Sequence, residues 1–69
     1  MLSFEIVESG KVIQIYCDAA GLAILKEKIK SFEEFGHIHL LGPKSGGDDI
    51  SETTPFGDPA IEEVIITGG

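Results

Sequence analysis

The hydrophobic period of this chain changes at Asp18, and that change fixes the first half of its fold. Before Asp18, apolar and polar residues alternate over residues 2–6 and again over residues 12–17. A period of two is typical of half-buried β-strands. Because residues 8–11 between the two runs form a turn sequence that contains glycine, the pattern predicts a β-hairpin.

After Asp18 the apolar residues recur at steps of three and four, which is typical of an amphipathic helix. The Asp18 carboxylate is the expected N-cap, since it can accept hydrogen bonds from the first free N–H groups. Gly36 is the expected C-cap. The predicted apolar stripe of the helix consists of Leu22, Leu25, Ile29 and Phe32.

Two more strands are predicted after the helix, at residues 37–41 and 60–67, with a long segment rich in glycine and proline between them. In the first of them, Ile38 and Leu40 are expected to point inward. The element order is ββαββ. We therefore expect an α+β fold, with one helix packed on a small, mainly antiparallel four-stranded sheet, in a single domain spanning residues 1–69.

One helix covers only one face of such a sheet, and we expect the other face to be apolar and open. A homodimer or a partner packed on this face would remove it from water. The residues expected on the open face are Val12, Tyr16, Leu41, Ile61 and Ile65.

The charge of the chain is strongly acidic and concentrated near its end. Twelve acidic residues stand against five lysines, for a formal net charge of −7. Residues 45–63 contain no basic residue. Nucleic-acid binding is not expected, because it needs lysine or arginine to neutralise phosphates. A basic protein is the electrostatic complement, although an acidic surface also simply keeps a small protein in solution. The carboxylates of this stretch are Asp48, Asp49, Glu52, Asp58, Glu62 and Glu63.

The sequence favours a cytoplasmic location without membrane association. Cys17 is the single cysteine, so it has no partner for an internal disulfide, which fits a reducing compartment. The first residues lack the basic start of a signal peptide. No apolar run reaches the roughly 20 residues needed to span a bilayer.

His37 and His39 lie two apart on a predicted strand, so their rings should project from the same side. Such a pair can provide two zinc ligands, and Asp48 or Asp49 could provide a third. The alternative interpretation is a pair of partly exposed histidines that bond to loop backbone. With no third histidine and no second cysteine, the sequence favours no metal and no cofactor.

A hydrolytic site is the second chemical alternative, with His39 as a base and Ser45 or Ser51 as a nucleophile. Neither serine lies in a Gly-x-Ser-x-Gly elbow. The sequence therefore favours a chain that is not an enzyme and has no catalytic residue. Gly46 and Gly47 are better interpreted as a tight turn that presents the two aspartates after them, with Ile50 as an apolar anchor.

The sequences GHIHLL at residues 36–41 and GGDDISE at residues 46–52, with Pro43 between them, resemble the signature of the immunity protein 32 family of bacterial polymorphic toxin systems. In that family a short hairpin and an Asp-capped helix with a Gly-Leu pair lead into a Gly-His-x-His-Leu strand. A Pro-x-x-Gly-Gly-x-x-Leu-Ser loop and a final strand follow. The chain shows this order over essentially its full length.

The chain departs from the family pattern at two positions. Ser45 stands where the family often has tryptophan, the residue most suited to anchoring an interface. Ile50 replaces the usual leucine.

The resemblance implies a cognate inhibitor that binds a co-encoded toxin domain and occludes its active site. Nuclease-type toxins carry basic clefts, and an acidic loop aimed at one gains fast, salt-sensitive association. A metal-binding or hydrolytic domain built on the histidine pair and a dimeric scaffold module are the alternatives. The residues predicted to bind the toxin or shape its binding loop are His37, His39, Gly46, Gly47, Asp48, Asp49 and Glu52.

Overall fold

The computed structural model describes residues 1–56 and 60–68, with the backbone alone for Glu34 and Phe35. Within these residues no helix is both long and apolar enough to cross a membrane. The predicted ββαββ order and α+β class are confirmed. The elements are β1 (Leu2–Val7), β2 (Val12–Cys17), α1 (Ala19–Phe35), β3 (His37–Leu41), a 3-10 turn (Pro43–Ser45) and β4 (Glu63–Thr67).

The four strands form two antiparallel pairs, β1 with β2 and β3 with β4, rather than one continuous sheet. Loop backbone occupies the edge of β1 that a continuous sheet would need. Ser51 donates its N–H to the Leu2 carbonyl, and Ile61 donates to the Phe4 carbonyl, both at 2.7 Å. Because Ile61 is directed to β1, strand β4 begins at Glu63, three residues later than expected.

Both predicted helix caps are confirmed. The Asp18 carboxylate accepts hydrogen bonds from the N-terminal ammonium at 2.6 Å and from the Gly21 N–H at 2.8 Å. The ammonium first, and then the Gly21 N–H, hold the pKa of Asp18 below its ordinary value, because both favour the charged carboxylate. At the other end, Gly36 is left-handed and donates to the Phe32 carbonyl at 2.9 Å.

The helix packs on β1 and β3 with a face that differs from the predicted stripe. Leu25 and Phe32 lie against the core as expected, and Ile24 joins them. Leu22 and Ile29 of the predicted stripe are exposed, so the stripe does not lie wholly against the core. The apolar stripe is wider than the surface that the two sheets offer, and its margin stays in water. The buried core itself consists of Leu2, Phe4, Ile38, Leu40 and Ile50.

The second face of the β1–β2 hairpin is covered by the chain itself. Ser3 and Glu5 on this face are each only 1% exposed. The Thr54 hydroxyl donates to Glu5 Oε1 at 3.4 Å, and the Phe56 ring meets Tyr16 edge-on at 6.1 Å. The expected open face is therefore reduced. Of the residues expected there, Tyr16, Leu41 and Ile61 are half-buried, while Val12 and Ile65 remain exposed.

Candidate partner-binding site

Residues 46–52, which we call the acidic loop, fold back on the end of β3. Gly46 has φ +86°, and its N–H bonds to the Pro43 carbonyl at 3.2 Å, which ends the 3-10 turn. A Cβ atom on Gly47 would lie 2.5 Å from the Leu41 Cβ. The first glycine therefore provides a left-handed turn and the second permits close contact with the strand.

Asp49 fastens the acidic loop to β3. Its N–H donates to the Leu41 carbonyl at 3.0 Å, and its Oδ2 accepts the Leu41 N–H at 3.2 Å. The same Oδ2 lies 3.4 Å from the Lys28 ammonium of α1. The Asp49 side chain is only 22% exposed. Asp49 thus extends the hydrogen bonding of β3 and ties the loop to the helix.

The next residues fasten the acidic loop to β1. Ile50 is buried in the core, in agreement with its predicted role as an anchor, and Ser51 bonds to Leu2. Asp48 and Glu52, on either side of this fixed centre, are exposed. The structure therefore separates the predicted carboxylates into one that holds the loop, Asp49, and two that face solvent.

Glu62 and Lys28 also help to hold the acidic loop in place, although the sequence alone did not indicate this role for either of them. Glu62 Oε1 accepts the Ser45 N–H at 2.9 Å and braces the turn before the acidic loop. Lys28 contacts Asp49 across 21 residues of sequence. No local pattern distinguishes either residue from an ordinary surface charge, so their roles depend on the tertiary fold.

An open cavity of about 320 Å³ adjoins the acidic loop. Leu2, Ile24 and Ile50 form its apolar side, and of its two carboxylates Asp48 is exposed while Asp49 is paired with Lys28. A lysine or arginine side chain suits such a site, since its methylene stem packs on apolar groups while its cation meets a carboxylate. The residues that line the cavity are Met1, Leu2, Ile24, Asp48, Asp49, Ile50 and Ser51.

His37 and His39 lie side by side on the outer face of β3, as their spacing predicts. Their ring centroids are 5.5 Å apart and the rings meet edge-on. His39 Nδ1 lies 2.9 Å from Glu63 Oε2 of the neighbouring strand, and both histidines are exposed. The described contacts of His39 thus join it to β4, and they do not join it to the acidic loop.

The metal-binding alternative finds no complete ligand set in the described part of the chain. No three His, Cys, Asp or Glu side chains gather there closely enough to hold a metal ion. The Ser51 hydroxyl lies 3.2 Å from the Thr53 hydroxyl and accepts the Thr53 N–H, so its contacts are those of a local turn. The acidic loop offers a fixed, negatively charged surface beside a cavity, which is an arrangement suited to binding.

Comparison with known proteins identifies no relative: no family model, no curated protein and no solved structure matches this chain. The relation to the immunity protein 32 family therefore remains a hypothesis that rests on the Gly-His-x-His-Leu strand and the Gly-Gly loop.

Proposed function

We propose that this chain is a small acidic immunity protein of the cytoplasm that binds and neutralises a cognate bacterial toxin domain. The observation that carries the proposal is the geometry of the acidic loop. Asp49, Ile50 and Ser51 fix its centre to two strands and the helix, while Asp48 and Glu52 stay exposed. A loop held in place before binding loses little conformational entropy when a partner docks.

The charge around the loop supports a basic partner. Residues 45–63 carry six carboxylates and no basic residue. Asp58 is one of the six and lies outside the described residues. Asp49 and Glu62 accept backbone N–H groups, and Glu63 lies 2.9 Å from His39. Asp48 and Glu52 are therefore the described carboxylates of this stretch that are most available to a toxin. Opposite charges on the two surfaces would accelerate association.

The cavity beside the loop supplies a place for one basic side chain of the toxin. Its stem would pack mainly on Ile24, the half-buried apolar residue of the lining, and its cation would approach Asp48. This contact would sit near the centre of the interface, where anchoring residues contribute most of the binding energy. This contact would anchor the interface without the tryptophan that the immunity protein 32 family often has at the position of Ser45.

The test is co-expression of this chain with the toxin domain encoded beside it, together with a binding measurement on the purified pair. We expect the unaltered chain to protect growing cells. We expect the Asp48→Lys, Glu52→Lys double variant to bind at least about tenfold more weakly and to lose protection, because two attractive contacts become repulsive.

A matched control is the Glu27→Lys, Glu33→Lys double variant. It makes the same change in net charge at two exposed positions of α1. This control should protect as the unaltered chain does. Equal binding by the loop variant and the unaltered chain would refute the proposed site, and equal losses in both variants would show that only total charge matters.

A further inference from the structure

Strand β2 lies at the edge of its sheet, because in the described residues β1 is its only neighbouring strand. The Asp18 N–H bonds to the Met1 carbonyl at 3.1 Å, and this sets the even-numbered residues of β2 toward β1. The N–H and C=O groups of Ile13, Ile15 and Cys17 consequently point away from the hairpin. The six residues of β2 include no charged residue and no proline, and its register with β1 has no bulge, so none of these features blocks pairing at this edge.

The side chains next to this edge are apolar and exposed. The register places Ile13 opposite Ile6 and Ile15 opposite Phe4, on the face that α1 covers only in part. Ile6, Ile13 and Ile15 all remain about half exposed or more. Leu22 and Ile29 on α1 are exposed as well. An apolar surface of this extent beside an unpaired edge is typical of an interaction site.

We propose that β2 pairs antiparallel with β2 of a second copy of this chain, across a two-fold axis, to make a continuous four-stranded sheet. A register centred on Gln14 places Ile13 opposite Ile15 of the second copy, and Val12 opposite its Tyr16. Apolar residues then face apolar residues on both sides of the sheet, and this match is what selects a register. The two Gln14 amides meet each other at the centre.

The low charge of this surface, together with the self-complementary register, favours a second copy as the occupant. Residues 9–26, which include β2 and the first half of α1, contain two lysines and one aspartate, in a chain whose net charge is −7. Two acidic copies can therefore approach through this surface without bringing their carboxylate-rich segments together. In the Gln14 register, Lys11 of one copy lies opposite Cys17 of the other, so no like charges meet across the paired strands.

The proposed pairing leaves the acidic loop available. Strand β2 lies along one edge of β1, and Ser51 of the loop bonds to the opposite edge. The inference therefore does not depend on toxin binding.

Sedimentation equilibrium of the full chain, over a range of concentrations, tests the pairing. We expect a monomer–dimer equilibrium for the unaltered chain and at least about a tenfold weaker one for Ile13→Lys, because the lysine would insert charge into the apolar pairing. Ile65→Lys is the matched control, since Ile65 lies on β4 and is 55% exposed against 65% for Ile13. A monomer at every concentration, or dissociation by Ile65→Lys alone, would overturn the proposal.

Amide hydrogen exchange provides a second measurement that requires no variant. The N–H groups of Ile13, Ile15 and Cys17 should become more protected as concentration rises, because pairing gives them carbonyl acceptors. The amides of Ile65 and Thr67, which point away from β3, are the internal control and should not change. Dimerisation without added protection in β2 would overturn the proposed edge.

Discussion

Asp48 and Asp49 are adjacent and chemically identical, yet the fold gives them different roles. Asp49 accepts the Leu41 N–H and pairs with Lys28, whereas Asp48 is exposed at the rim of the cavity. Replacing a carboxylate that holds a backbone N–H leaves that N–H without its acceptor, which costs more than losing a solvated charge. The two residues should therefore respond differently to substitution.

We expect Asp49→Ala to lower the free energy of unfolding by about 1–2 kcal/mol, most of it from the lost hydrogen bond to Leu41. Asp49→Asn keeps an acceptor oxygen and loses only the partly exposed ion pair with Lys28. Its cost should be no more than about 1 kcal/mol. Urea unfolding at neutral pH measures both changes.

Asp48→Ala is the comparison, and we expect it to change stability by no more than about 0.5 kcal/mol. If Asp48→Ala and Asp49→Ala cost the same, Asp49 does not fasten the loop. An Asp49 variant would change both the position of the loop and its charge, so a loss of toxin binding could not be assigned to either one. Asp48 and Glu52 are therefore the residues to change in the toxin-binding experiment.

The elements show which parts of the fold the sequence predicts and which it does not. The hairpin, both caps of α1 and the inward residues of β3 follow from local signals: alternation, an aspartate before a change of period, and a glycine after it. Each signal involves residues within a few positions of each other. The tight Gly46–Gly47 turn and the burial of Ile50 were predictable for the same reason.

The connection between the two sheets was not predictable, because it depends on contacts between distant residues. Ser51 and Ile61 bond to β1 from a segment that has no strand period. Glu62 and Asp49 accept backbone N–H groups that become available only when β3 and β4 are in place. The separate roles of Asp48 and Asp49 have the same origin, since nothing in the sequence distinguishes them.

The start of α1 offers a test of how closely this helix packs on the hairpin. Glycine in a helix usually costs stability, so Gly→Ala at an open site stabilises by roughly 0.5–1 kcal/mol. A Cβ atom on Gly21 would lie 2.0 Å from the Met1 carbonyl oxygen, far inside contact distance. We expect Gly21→Ala to destabilise the fold by about 1–3 kcal/mol, because the helix must move away from β1. Thermal unfolding with circular dichroism measures the change.

Ala23→Gly, at an exposed position of the same helix, serves as the control for helix propensity. It should cost up to about 1 kcal/mol through backbone entropy alone. A stabilising effect of Gly21→Ala would mean that the helix does not approach β1 as closely as described.

At the scale of the whole molecule, charge is distributed unevenly over the fold. Residues 45–63, which include the acidic loop, carry six of the twelve acidic residues and no basic residue, while residues 9–26, with β2 and the first half of α1, carry one aspartate and two lysines. The two proposed associations use these two surfaces: a basic toxin at the acidic loop and a second acidic copy at β2. Salt screens both attraction and repulsion between charges, with a Debye length of about 10 Å at 0.1 M. Its effects on the two associations should therefore have opposite signs.

We expect an increase from about 0.05 M to about 0.5 M NaCl to weaken toxin binding and to strengthen self-association. Self-association brings together two copies that each carry a net charge of −7, and salt reduces their repulsion. Repulsion between the two copies should therefore decide the sign of the salt effect on self-association.

Sedimentation of the chain alone and titration with the toxin, in matched buffers, measure the two responses. If salt weakened both associations, self-association would depend on attraction between opposite charges, with the acidic loop of one copy facing the lysines of another. The uncharged edge of β2 would then not be the interface.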